Sequence, residues 1–289
     1  MALNNFIPTV WSETLYEELD KQYIAVSNCN REFEGDIREK GDRVRICGVG
    51  DVSVSDYVKN SNMADPEVLD ADTRDLIIDQ AKYFNFQIDD IDRAQSSPRL
   101  MELAMKRAAS ALANEADTYI YNLYSQSRFY SPATDPTVDT IIYKLIDARG
   151  MLLRNNVCNS SDIVFEVSPE VASLILKAKV TLTSDTNEKL EAGCIGSIGG
   201  SKIYVSNNVC RLDTGSSICH QCYVRTKRAI AFAEQLSEID AYRPEHRFAD
   251  AVKGLHLYGA KVIYPKEFVV MSVAFSYPHE EEEEPEEEV

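Results

Sequence analysis

Few of the residues that usually carry chemistry are present, and those few are scattered. The 289-residue chain has four histidines and one tryptophan, and no Ser/His/Asp order suggests a nucleophilic relay. Long apolar runs are absent. The longest purely apolar stretch is Ala229–Ala233, far short of the ~18 residues of a membrane span. The opening MALNNFIPTVWSETL has neither the basic start nor the apolar centre of a secretory signal. A soluble protein made in the cytoplasm is therefore expected, with its seven cysteines as reduced thiols rather than a disulfide framework. Basic charge is short as well: Lys and Arg total 30 against 47 Asp and Glu, for a net charge of -17. A protein that grips nucleic acid through its phosphates needs a basic surface, which this composition denies on average but not at any one face. Eight of the acids are glutamates between Glu280 and Glu288, a like-charge run expected to be disordered. Without them the balance is about -9, still acidic.

What is present is an ordinary globular composition, 44% hydrophobic and 27% charged, in a length that buries a large core as one domain or two. The clearest element is Pro98 to Gln126. Ser97 is a good N-cap, Pro98 fits the first helical position, and six alanines favour a slim helix. Met101, Met105, Ala108, Leu112, Ala116, Tyr119 and Leu123 draw an apolar stripe, while Arg99, Glu102, Lys106, Ser110, Asn114 and Asp117 draw a polar one. Residues 1–34 read as an arm, with Phe6, Ile7 and Trp11 ahead of a short helix. Residues 35–96 read as β-rich: RVRICGV and DVSVSDYV alternate, a polar middle follows, and AKYFNFQIDDID alternates again. Two alternating arms around a polar middle predict a projecting hairpin, which is marginal alone and needs a surface to lie on. Beyond the helix the pattern is mixed. Asp135–Pro136 and Ser168–Pro169–Glu170 look like helix caps, DIVFEV, KIYVS, CYVRT and RAIAFAEQL like strands, and VKGLHLYGAKVIYPKEFVVMSVAF like long strands that return to close the fold.

Each motif that could carry chemistry has a plainer reading. Asp213–Thr214–Gly215–Ser216–Ser217 resembles an aspartic-protease loop, yet no second Asp-Ser/Thr-Gly exists to share a proton with it, so a turn is expected. Cys219 and Cys222 have CxxC spacing, the sole support for a thiol- or zinc-dependent enzyme. No second paired spacing accompanies them, and CYVRT reads as strand rather than as the helix start that a redox dithiol wants. The glycine-rich Gly193–Lys202 run has neither phosphate-loop nor dinucleotide spacing and reads as a tight loop before KIYVS. The aspartates at 70, 72 and 75, and at 89, 90 and 92, lack the EF-hand pattern and read as solvated turns. No catalytic residue, cofactor or metal is expected.

Arm, projecting hairpin, long helix, α/β region and returning strands stand in an order that resembles the major capsid protein of tailed double-stranded DNA phages, the HK97-like fold. The stretches that carry the resemblance are FIPTVWSETLYEEL, AKYFNFQIDDIDRAQS leading into ALANEADTYIY, GSIGGSKIYVSNNV, and RAIAFAEQLSEIDAYRPEHRFADAVKGLHLYGAKVIYP. The resemblance implies an α+β subunit. Its parts would be an N-terminal arm (1–34), an extended hairpin loop lying on a neighbour (35–96), a spine helix (97–134), an axial α/β domain (135–240), returning strands of a peripheral domain (241–278) and an acidic tail (279–289). It implies self-assembly into pentamers and hexamers of an icosahedral head around DNA that is not bound by sequence. Scaffolding, portal and decoration proteins are possible partners, and no membrane is involved. An encapsulin-type compartment with enzyme cargo has the same fold and is the nearest alternative; a monomeric acidic binding module is a more distant one. Expected contacts between subunits are Phe6, Trp11, Val52, Val54, Tyr57, Arg99, Glu102 and Lys106. The Met101–Leu123 stripe is expected to pack on the subunit's own strands.

Overall fold

A computed structural model describes Leu15, residues 17–33, 41–49, 54, 56, 59, 62, 71–89, 100–157, 162–178, 194–246 and 248–277. The proposed Ser97–Pro98 cap, most of the arm's first half and the glutamate run lie outside the described residues. Two larger sheets, a two-stranded ribbon and one long helix organise the described residues. Helix α1 (Leu100–Tyr121) is 22 residues long, roughly 33 Å at the α-helical rise. Its last turn tightens into a 3-10 helix, Asn122–Gln126, so the helical rod ends where the periodicity predicts. Met105, Ala109, Leu112, Ala113, Ala116 and Ile120 are its buried face. The stripe is turned by about one residue from the sequence reading, for Ala108 and Tyr119 only edge onto the core. The apolar positions form two adjacent rows, and periodicity alone does not choose between them.

Three antiparallel strands, β3 (Gln80–Asp89), β10 (Ile230–Tyr242) and β11 (Ala249–Val262), form a sheet in the order β10-β11-β3. Phe84 and Phe86 stack on its helix-facing side and pack with the α1 core. Tyr119 of α1 meets Tyr258 of β11 edge to face at 5.5 Å, an arrangement favoured by the ring quadrupoles. The hairpin differs from the sequence expectation. β1 (Arg43–Val49) pairs with β2 (Ala71–Ile77), not with the AKYFNFQ strand. β2 hides from a search for alternation because Leu76 and Ile77 are its only large apolar side chains. Val44 faces Leu76, Arg45 pairs with Asp75 at 3.4 Å, and Val44, Ile46, Leu76 and Ile78 form a small second core with Ala231, Ala233 and Leu257. The hairpin base crosses β11 at Gly259, where a Cβ would lie 2.2 Å from the Ile77 carbonyl oxygen. Only the absence of a side chain permits that approach.

The other sheet has seven strands. These are β4 (Phe129–Thr134), β5 (Ile163–Val167), β6 (Cys194–Ile198), β7 (Ser201–Val205), β8 (Arg211–Asp213), β9 (Ser217–Thr226) and β12 (Phe268–Ser276). Their order is β4-β12-β9-β5-β7-β6, with β8 also on β9. Helix α2 (Thr140–Arg154) buries Ile141, Leu145, Ala148 and Leu152, and helix α3 (Pro169–Lys177) buries Val171, Ala172 and Ile175. The Ser168 hydroxyl accepts from Val171 N with Pro169 in the first turn, the expected cap. Asp135 does not cap α2, as the sequence suggested. At φ 42 it instead accepts from Ser276 N and Oγ, at 2.7 and 2.6 Å, and closes the end of β12. The chain passes between these two sheets three times, from β3 to β4, from β9 to β10 and from β11 to β12. β9 and β10 are joined through a 3-10 turn, Lys227–Ala229, yet lie in different sheets. The 240/241 boundary drawn from the sequence falls inside β10, and of the returning strands β11 joins β3 while β12 joins the seven-stranded sheet. α1 spans both: its body lies on β3 and β11, while Tyr223 of β9 donates to the Ile120 and Tyr121 carbonyls at its end.

Candidate functional site

The motifs singled out by chemistry resolve into structure. Cys219 and Cys222 sit on β9, three residues apart and so on opposite faces of the sheet. They cannot share a metal or close a disulfide with each other. Burial pushes the Cys222 thiol up to about 12, away from thiolate chemistry. The Asp213–Ser217 loop is the β8–β9 turn. Asp213 accepts from Gly215 N and from the Tyr277 hydroxyl, and Thr214 N bonds the Ser217 carbonyl. Those bonds hold the exposed Asp213 carboxyl below its ordinary pKa. Within the glycine-rich run, Gly199 and Gly200 (φ 57 and 85) make the β6–β7 turn, and Arg149 of α2 donates to the Gly199 carbonyl at 2.8 Å. Positive φ at both central positions is what a two-residue hairpin turn requires. Of the aspartate groups, Asp75 pairs with Arg45, while residues 70, 90 and 92 lie outside the described residues. Among the described residues no group of His, Cys, Asp and Glu is placed to hold a metal ion.

The most developed polar arrangement is one that sequence reasoning missed. Arg225 (β9) and Glu166 (β5) are both completely buried and bonded twice, Nη2 to Oε1 at 2.8 Å and Nε to Oε2 at 3.1 Å. Arg225 also donates to the carbonyls of Asn28 (2.6 Å) and Ala25 (3.0 Å), and the Asn28 amide donates to Glu166 at 3.2 Å. Asp117 of α1, placed on the polar stripe by the sequence reading, is buried too. Its carboxylate accepts from the backbone N–H groups of Ile24, Ala25 and Val26 at 3.0, 3.0 and 3.1 Å. These are orphan donors at the start of the short 3-10 helix Val26–Asn28, the kind an acidic cap satisfies. Burial pushes Asp117 up to about 7, against the pull of the three backbone donors and with a further push from Glu166. Burial likewise raises Glu166, and Arg225 offsets part of that rise. Burial alone would lower the Arg225 pKa, but the Glu166 charge outweighs it and keeps the guanidinium protonated.

A second knot fixes the same segment to the other sheet. Glu234 of β10 accepts from the Tyr23 hydroxyl, from Arg31 at 2.7 Å, and lies 2.8 Å from His256 Nε2. Asn30 adds a parallel bridge to Ala231. Residues 23–31 are thus bolted to α1 and to both sheets. The chemistry of this arrangement is mechanical: it fixes residues 23–31 against α1 and against strands β5, β9 and β10.

Of the expected contact residues, Val54 is 96% exposed. Lys106 is half-exposed and pairs with Glu18 of its own chain at 3.6 Å. Phe6, Trp11, Val52, Tyr57, Arg99 and the side chain of Glu102 lie outside the described residues. Large apolar side chains are exposed elsewhere, among them Tyr143, Ile146 and Leu153 on the outer side of α2.

No protein-family model and no curated protein matches the chain. Solved structures do. A chain of Mycobacterium phage Che8 is 29% identical with a TM-score of 0.67, covering 86% of this chain and 91% of that one. The capsid structure of Cyanophage P-SCSP1u has a TM-score of 0.65 at 15% identity, covering 89% of each chain. A virus-like particle from Pyrococcus furiosus has a TM-score of 0.54 at 11% identity, covering 90% of this chain and 96% of that one. These matches define the class: the protein has the HK97-like capsid fold. That is the fold which the order of its sequence motifs implies.

Proposed function

We propose that this chain is the shell subunit of a phage head, assembling with copies of itself into pentamers and hexamers of an icosahedral capsid around double-stranded DNA. The observation that carries the reading is the fit to the Che8 chain, where 29% identity and 86% coverage accompany the common fold. The role is structural rather than enzymatic. The hairpin rising from β1 and β2 lies on a neighbouring subunit, and Val52, Val54 and Tyr57 belong to that contact. Phe6 and Trp11 contact a neighbour through the arm, and Arg99, Glu102 and Lys106 through the exposed side of the spine. Assembly takes place in the host cytoplasm and the product is the virion. Scaffolding, portal and decoration proteins are further partners of the same shell. An acidic wall suits this use, since DNA driven in by a motor slides past a surface that does not hold it.

The Pyrococcus furiosus particle supports a second reading, a compartment with protein cargo, but at 11% identity that likeness is one of fold alone. Electron microscopy and light scattering of the expressed protein test the shell. Closed particles are expected, with or without a co-expressed scaffold, and a strictly monomeric product at high concentration counts against it. Nuclease-protected DNA in particles from infected cells separates a head from a compartment. Replacing Val52–Leu69 by a short turn keeps β1 paired with β2; the variant is expected to fold and to fail to close particles.

A further inference from the structure

Basic charge is scarce in this chain, yet it gathers at one corner. The 3-10 turn Lys227–Ala229 and the 3-10 turn Pro265–Glu267 are bonded together, Ile263 N and Tyr264 N both donating to the Ala229 carbonyl. The Asn155 amide, just past α2, donates to the Lys266 carbonyl at 2.8 Å, and Ser127, just before β4, donates to the Phe268 carbonyl at 3.1 Å. Five exposed cations ride on the segments so joined: Arg128, Arg154, Lys227, Arg228 and Lys266. Among the described residues, the acids that act on Arg228 are Glu267 and Asp162. Glu267 is buried and already engaged by Arg228 and by the Thr226 hydroxyl. Tyr264 lies 5.5 Å under the Arg228 guanidinium and helps hold it in place. The five cations face solvent on adjoining segments in a protein of net charge -17.

We infer that this corner docks the glutamate run, Glu280–Glu288, of a second copy of the chain. Charge complementarity carries the argument: every copy holds one five-cation corner and one run of eight glutamates. Geometry favours a neighbour's run over the chain's own. β12 begins beside the corner at Phe268 and ends at Ser276, nine residues and roughly 30 Å away along the strand. Ser276 therefore lies at the other end of the sheet from the corner, and the chain's own run would have to span that length to reach it. A neighbour's run has no such constraint. The inference uses the shell reading only in that copies meet, and a free peptide tests the docking whether or not shells form.

The test uses the chain truncated after Tyr277 and a fluorescent synthetic peptide of residues 278–289, read by anisotropy at rising NaCl. Saturable binding that weakens as salt screens it is expected. The variant Arg154→Glu/Lys227→Glu/Lys266→Glu is expected to weaken binding by about tenfold or more. Its neutral counterpart with Gln at the three positions should fall between, and keeps the test open if charge reversal prevents folding. Arg107→Glu on α1 is expected to change nothing. Full-length protein with the reversed corner should form heterodimers with the truncated chain in sedimentation, since one supplies the run and the other the corner. No peptide binding, equal binding by the reversed variant, or binding without heterodimers overturns the proposal. So does a duplex DNA that occupies the corner and is not displaced by the peptide.

Discussion

Asp117 and Arg225 are the residues on which the placement of the N-terminal segment turns. Both reach backbone groups of residues 24–28 from elements that are otherwise separate, α1 and β9. Asp117→Ala strips the acceptor from three N–H groups, two of them in buried bonds, and should cost about 2–4 kcal/mol in chemical denaturation. Hydrogen exchange should place the loss of protection at Ile24, Ala25 and Val26. The same carboxyl makes stability depend on pH with a definite sign. Its folded pKa, about 7, lies above the ordinary carboxylate value of 3.8, so the folded state binds the extra proton. The stabilisation from that proton is fully present below about pH 4 and is lost as pH rises through about 7. Asp117→Asn should flatten this slope, and denaturation midpoints of the two proteins between pH 4 and 8 measure the difference. Arg225→Met leaves Glu166 without its counter-charge in a site closed to water, with an expected cost of about 3–5 kcal/mol. Adding Glu166→Leu to it should recover part of that loss, because the stranded charge goes with its partner.

At the scale of elements, what the sequence makes legible is whatever sits on one face at a regular period. α1, the Ser168–Pro169 cap, β5, β7 and the long returning strands are read correctly because local pattern and tertiary role agree. β2 is missed because a strand with Asp72, Arg74 and Asp75 shows no apolar alternation, and what holds it is the ladder to β1, the burial of Leu76 and the Arg74 bond to the Val262 carbonyl. AKYFNFQ is read rightly as a strand but given the wrong partner, since alternation reports a face and not the neighbour across the ladder. The buried junction is invisible for a related reason. Asp117, Glu166 and Arg225 are separated by 49 and 59 residues, and nothing local distinguishes them from solvated charges. Gly259 shows the same limit in a single residue: only the crossing of the hairpin base explains it. Gly259→Ala should push β2 off β11, destabilise the subunit by about 1–3 kcal/mol or more, and loosen the hairpin first. Proteolysis within residues 50–70 ahead of global unfolding is the readout, and an unchanged cleavage rate would sink that account.

For the whole molecule the deciding quantity is charge. Copies carrying -17 each repel one another, and at physiological salt that repulsion is screened beyond about 8 Å. If the glutamate run only adds repulsion, removing residues 278–289 should improve association at low salt, because it brings the net charge to about -9. If the run bridges to a neighbour's basic corner, removing it deletes an attraction that low salt strengthens, and association should fall. The two accounts thus predict opposite signs for one deletion in one buffer. The expected result is weaker association of the truncated chain at about 50 mM NaCl, where the Debye length is still well over 10 Å. The gap to the full-length chain should close toward 1 M, where both the attraction and the repulsion are screened to about 3 Å. Light scattering across that salt series, at matched protein concentration, reads the sign directly. Stronger association of the truncated chain at low salt would leave the run as a source of solubility and nothing more.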